Sequence, residues 1–201
     1  MEIEMDLYGG PSTRRLATLS CVAALLVAGF AVATEADAPP GVAIGDRLPE
    51  TRVELAKGGR WIDLDQLRGD AGELIVFVSR DCPAADAWHS ELDRLIRLYR
   101  TEGVTTVTLV SGKGDGPWPE LDTALVFDAD GALARRFGVS ELPEVLLLDG
   151  GGRLVYRGAV GLRAPDDGTV IRSYLADALA AMIAREPAPT PVTRARGCAL
   201  P

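Results

Sequence analysis

Leu74-Ile75-Val76-Phe77-Val78 is a run of apolar residues with no alternation, the pattern of a strand buried on both faces of a sheet. Such a strand needs layers above and below it, which restricts the chain to architectures with a covered central sheet. Just beyond it, Cys82-Pro83 opens a segment in which Trp88, Leu92, Leu95, Ile96 and Tyr99 recur at helical spacing on one face. Gly103 ends that helix and Val104–Val110 supplies a second β-rich run, so strand, helix and strand form a parallel crossover. Cys82 therefore lies where a central strand gives way to a helix, with Pro83 at the first helical position.

The flanking segments extend this unit. Arg52–Ala56 and Arg60–Leu64, separated by Gly58-Gly59, read as a hairpin. Leu125-Val126-Phe127 is a further short strand, and Asp130-Gly131 leads into a short helix with Leu133, Ala134 and Phe137 on one side. Val145–Leu148 and Leu154–Tyr156 bracket Gly150-Gly151-Gly152 as a second hairpin. A final helix carries Ile171, Tyr174, Leu175, Ala178, Leu179 and Met182 on one stripe, and beyond Arg185 the prolines 187, 189 and 191 mark an extended tail. The order β-β-β-α-β-β-α-β-β-α predicts an α/β sandwich around a mixed sheet.

Residues 1–33 read as export machinery. Arg14-Arg15 precede an uncharged run from Leu16 to Ala33, and Ala31-Val32-Ala33 offers the small residues of a signal-peptidase site before Thr34. The alternative is a retained anchor, for which a helix of about 27 Å is marginal against the hydrocarbon core. Either way the folded part lies outside the cytoplasm, in the periplasm or another extracytoplasmic space. Residues 34–41 are a linker, 42–185 one domain, and 186–201 the tail. The formal charge is −8 with no basic stripe, which argues against nucleic acid as a partner. Cys21 leaves with the leader, so Cys82 and Cys198 are an even pair in a disulfide-permissive compartment.

At the start of a helix the backbone amides and the helix dipole stabilise a thiolate but not a thiol, so Cys82 is expected to be reactive and its pKa lowered. The competing reading is a buried cysteine acting as a small hydrophobe. The position after a central strand, beside Arg80 and Asp81, favours reactivity. Pro143 precedes a buried strand, where it reads as a plain strand boundary, with a locked cis peptide as the alternative. His89 lies about 10 Å along the helix from Cys82, too far to take its proton, and is expected to face solvent. Two cysteines and one distant histidine fall short of a metal site. Asp128, Asp130 and Gly131 read as turn formers, and Trp118 between two prolines as a packing or lid residue.

Taken together, Ile44-Gly45-Asp46-Arg47-Leu48-Pro49, Asp65-Gln66-Leu67-Arg68-Gly69, Ser79-Arg80-Asp81-Cys82-Pro83, Leu142-Pro143-Glu144 and the closing Gly197-Cys198 resemble the redoxin (AhpC/TSA, peroxiredoxin-like) branch of the thioredoxin fold. The resemblance covers nearly all of the chain after the leader. It implies a thioredoxin-like sandwich with an N-terminal hairpin, Cys82 as nucleophile and Pro143 as the cis-proline across from it. It implies no cofactor. The departures are informative: the chain reads Cys82-Pro83-Ala84-Ala85 where thioredoxins carry Cys-x-x-Cys, and Ile75 and Ser79 stand where peroxiredoxins carry Pro and Thr.

Cys198 is the candidate for the missing partner. The tail from Arg185 spans about 40 Å when extended, enough to cross a domain of this size. A disordered terminus with an incidental thiol is the alternative. The leading expectation is an exported thiol-disulfide oxidoreductase that forms a mixed disulfide at Cys82, resolved by Cys198 or an external thiol reductant, on a protein disulfide or thiol substrate. Alternatives are a thiol peroxidase passing through a sulfenic acid and a non-catalytic envelope binding module.

Overall fold

The computed structural model describes residues 41–112 and 121–200; the proposed leader, most of the linker and Trp118 lie outside them. In chain order the strands and helices are β1 (Arg52–Glu54), β2 (Trp61–Asp63), β3 (Gly72–Ser79), α1 (Pro83–Arg100), β4 (Val104–Ser111), β5 (Ala124–Phe127), α2 (Ala132–Arg136), β6 (Glu141–Leu142), β7 (Glu144–Asp149), β8 (Leu154–Gly158), β9 (Leu162–Arg163), β10 (Val170–Arg172), α3 (Tyr174–Ala184) and β11 (Cys198–Ala199). A 3-10 turn, Leu64–Leu67, follows β2.

The main sheet has the order β5-β4-β3-β7-β8. β3, β4 and β5 run parallel, while β7 is antiparallel to both β3 and β8, so the sheet is mixed. All eight residues of β3 are buried, as a strand covered on both faces requires. Its alternation sorts the core into two layers. Leu74, Val76 and Val78 face Trp88, Leu92, Leu95 and Ile96 of α1 and Leu175 and Leu179 of α3. Ile75 and Phe77 face the opposite layer, with Val53, Leu64, Phe137 and Leu142.

Local chemistry sets the helix ends. α1 begins with proline at its N-terminus and carries Asp86 in its first turn and Arg97 and Arg100 in its last, each charge placed favourably toward the dipole. The Ser173 side chain caps α3 by accepting from the Ala176 N–H. Asp128, buried, accepts from the Leu133 and Ala134 N–H groups at 3.0 and 2.9 Å and so anchors the start of α2, in keeping with its reading as a turn former.

Ile171 corrects one expectation. It lies in β10, paired with β9, and is 61% exposed, while α3 starts only at Tyr174. The tail past Arg185 also does more than extend. Arg157 N–H donates to Pro191 O and Thr193 N–H to Arg157 O, both at 3.0 Å, so this segment follows the outer edge of β8. The chain then crosses to β6, against which β11 pairs antiparallel.

Candidate functional site

β3 ends at Ser79, and a tight turn closed by Cys82 N–H donating to Ser79 O at 3.3 Å delivers Cys82 to the N-cap of α1. Cys82 keeps extended backbone, φ −114° and ψ 103°, and Ala85 N–H donates to its carbonyl at 3.0 Å. Pro83 occupies the first turn of the helix. The sulfur is 3% exposed with its residue, held between the helix start and β6, and Sγ lies 3.5 Å from the Leu142 carbonyl oxygen. The peptide bond that follows, Leu142–Pro143, is cis, so the boundary reading of Pro143 gives way to the cis alternative. The parallel β3 and the antiparallel β7 bring Cys82 and Pro143 to the same end of the sheet.

Cys198 completes the cluster. Its sulfur is bonded to that of Cys82 at 2.04 Å, with Cα atoms 5.8 Å apart, across 116 positions of sequence. β11 pairs Cys198 with Leu142 and Ala199 with Glu141, so the second cysteine arrives on a strand laid along the residue that precedes Pro143. The structure thus brings all four sequence-predicted residues, Cys82, Pro83, Pro143 and Cys198, into one place. His89 is half-buried and lines a small surface depression with Ser79, Arg80 and Asp86.

Two groups that sequence reasoning passed over hold this arrangement. Glu144, directly after Pro143, is buried, and its carboxylate accepts from Arg157 at 2.8 Å. Burial pushes the Glu144 carboxyl above its usual range, and the Arg157 hydrogen bond and charge oppose that rise. Arg157 also donates to Gly138 O at 3.0 Å and Val42 O at 3.3 Å. A charged residue opening a buried apolar strand was the available signal, since it demands a partner. The second group is Thr193. Its hydroxyl oxygen accepts from Ala159 N–H at 2.9 Å and sits 2.6 Å from the Tyr156 hydroxyl, which donates to Ala159 O at 2.5 Å. These bonds fasten the tail to the body a few residues before Cys198.

In chemical terms the site holds two sulfurs that can cycle between disulfide and dithiol, one at a helix start and one on a tethered strand.

No family model matches the chain. It is 28% identical over 181 residues to the thiol:disulfide interchange protein DsbE homolog of Paracoccus denitrificans, covering 83% of this chain and 98% of that protein. Among solved structures, a conserved protein of Geobacillus kaustophilus superposes with a TM-score of 0.70 at 22% identity, covering 80% of this chain and 93% of the other. A protein of Sinorhizobium meliloti 1021 gives 0.68 at 22% identity, covering 80% and 94%. The order of the elements, the mixed five-stranded sheet and these likenesses show that the chain has the thioredoxin-like α/β sandwich fold.

Proposed function

We propose that the protein is an exported thiol-disulfide oxidoreductase acting through Cys82. The observation that carries this reading is the Cys82 sulfur at the N-terminus of α1, beside the Leu142–Pro143 segment and joined to Cys198. The likeness to a DsbE homolog, a thiol:disulfide interchange protein, supports it.

In the reducing direction both cysteines start as thiols. The Cys82 thiolate attacks one sulfur of a substrate disulfide, forming a mixed disulfide, and the other substrate sulfur leaves as a thiolate that takes up a proton. Cys198, as thiolate, then attacks the Cys82 sulfur, forms the Cys82–Cys198 bond and releases the second substrate thiol. Two electrons pass from the cysteine pair to the substrate. An external thiol reductant restores the pair by the same exchange. Pro83 removes an N–H from the helix start without loss of a helical bond, and Pro143 borders the groove in which the substrate lies. The leader, residues 1–33, directs the protein out of the cytoplasm, where a disulfide of this kind persists.

Oxidised glutathione offered to the reduced Cys198→Ser chain tests the reading by intact mass. The expected product is one stable glutathionyl adduct at Cys82, which in the parent chain resolves to the Cys82–Cys198 disulfide. A Cys198→Ser chain that takes up no adduct while folded would refute the proposal.

A further inference from the structure

Residues 195–200 lie across the site in the manner of a bound peptide. From Cys198 to Leu200 the tail runs antiparallel to residues 142–140: Cys198 opposes Leu142, Ala199 opposes Glu141, and Leu200 N–H donates to Ser140 O at 2.9 Å. Three positions along this strip are shaped by their neighbours. A Cβ on Gly197 would stand 1.8 Å from the Leu142 carbonyl oxygen and 3.2 Å from the Ala84 Cβ. The first of these is backbone that belongs to the strand beside Cys82, so a side chain at this position would push the whole peptide away from the sulfur. Cys198 meets Cys82. Leu200 packs against the apolar layer that contains Phe137 and Leu142, above Gly131, where an added Cβ would come within 3.0–3.2 Å of three Leu200 carbons. A simple cross-link requires only that two sulfurs meet. It requires neither a missing side chain before the cysteine nor an apolar shelf two residues after it.

We infer that the strip formed by Ser140–Leu142, the start of α1 and the shelf over Gly131 is a peptide subsite. It selects an extended cysteine peptide with glycine immediately before the cysteine and an apolar residue two positions after it, and the C-terminal tail is its tethered occupant. The inference rests on the thiol-exchange reading and names the substrate class for it. The fastenings at Arg157 and Thr193 lie upstream of the strip, so the strip itself is vacated when residues 195–200 swing away. A peptide whose cysteine is in disulfide linkage to a second thiol then enters. The Cys82 thiolate attacks the peptide sulfur, a Cys82–peptide disulfide forms, and the second thiol leaves as its thiolate with the electron pair of the broken bond.

The test uses the full reduced Cys198→Ser chain and four probes whose cysteine is capped as a mixed disulfide with thionitrobenzoate, so that attack releases a coloured thiolate. The probes are the hexapeptide Ala-Arg-Gly-Cys-Ala-Leu, its counterparts with alanine before the cysteine or serine at the last position, and glutathione. The subsite predicts that alanine before the cysteine slows release by about tenfold or more and serine at the end by about threefold, with glutathione slower than the parent peptide. A second chain, Cys198→Ser with Gly197→Val, has a tail that cannot seat; all peptide rates rise in it and keep the same order. Equal rates for the peptides together with prompt release from glutathione would overturn the subsite alone. Release from none of the probes would overturn both the subsite and the reactivity of Cys82.

Discussion

Glu73 is a carboxyl placed where few are tolerated. It sits in β3 with no measurable exposure, and neither carboxylate oxygen has a hydrogen-bond partner among the described residues. It borders a cavity of about 180 Å³ together with Arg68, Leu64 and Leu148. Burial pushes its pKa up to about 8, with Arg68 pulling it down and Asp65 adding to the rise. In the unfolded chain the same group releases its proton near the usual value of about 4.3. Between these values the native state binds more protons than the unfolded state, so stability is complete below about pH 4, falls as the pH rises to about 8, and is flat above it. The span corresponds to roughly 5 kcal/mol. Glu73→Gln removes this slope, and denaturant unfolding of both chains at pH 5 and pH 8 reads the difference: the variant gains on the parent by several kcal/mol at the higher pH. A constant difference would show that Glu73 does not titrate in this window. Glu144 presents the opposite case, a buried carboxylate with a partner. Arg157→Met leaves it uncompensated and is expected to cost about 3–5 kcal/mol in urea unfolding.

At the scale of elements, the fate of the tail depends on single hydroxyls. Thr193→Val keeps the shape and removes the oxygen that accepts from Ala159 N–H and meets the Tyr156 hydroxyl, so a loss of about 1–3 kcal/mol is expected. Hydrogen exchange locates the effect: the Thr193 and Leu200 amides lose protection while those of β3 keep it. The central elements were legible because their signals are long. Five apolar residues in β3 and the stripe Trp88, Leu92, Leu95, Ile96 in α1 each specify one buried face, and the Cys82-Pro83 step marks where the two meet. The short pairings were not legible. β6 and β11 have two residues each, too few for any periodicity, and their pairing joins Leu142 to Cys198, far apart in sequence. The apolar Ile171 mimicked a helix position because β10 is a three-residue exposed strand whose side chains are not sorted by burial. The docking of the tail rests on Thr193 and Arg157 bonds to distant backbone, which composition does not reveal.

For the whole molecule, the Cys82–Cys198 bond ties the end of the described chain to its centre. Closing a separation of 116 residues restricts the unfolded ensemble by about 4–5 kcal/mol in the chain-entropy account. Reduction is therefore expected to lower the thermal midpoint by about 10 °C or more, and Cys198→Ser to lower it by a similar amount without reductant. An unchanged midpoint would mean that the tail is held by its other contacts alone. Both states remain folded in this account, since the buried residues of the two apolar layers on the main sheet all precede the tail, which adds only partly buried contacts such as Leu200. No helix among the described residues is long and apolar enough to cross a membrane. The central claim is that the fold delivers Cys82 to a helix start as a poised nucleophile, and the pH dependence of its alkylation tests that most directly. In the reduced, native Cys198→Ser chain, the rate of carboxamidomethylation at Cys82 is expected to reach half its maximum at least about one unit below the ordinary thiol value of 8.5. A half-maximum at or above 8.5, or a reaction that begins only when denaturant is added, would contradict the account.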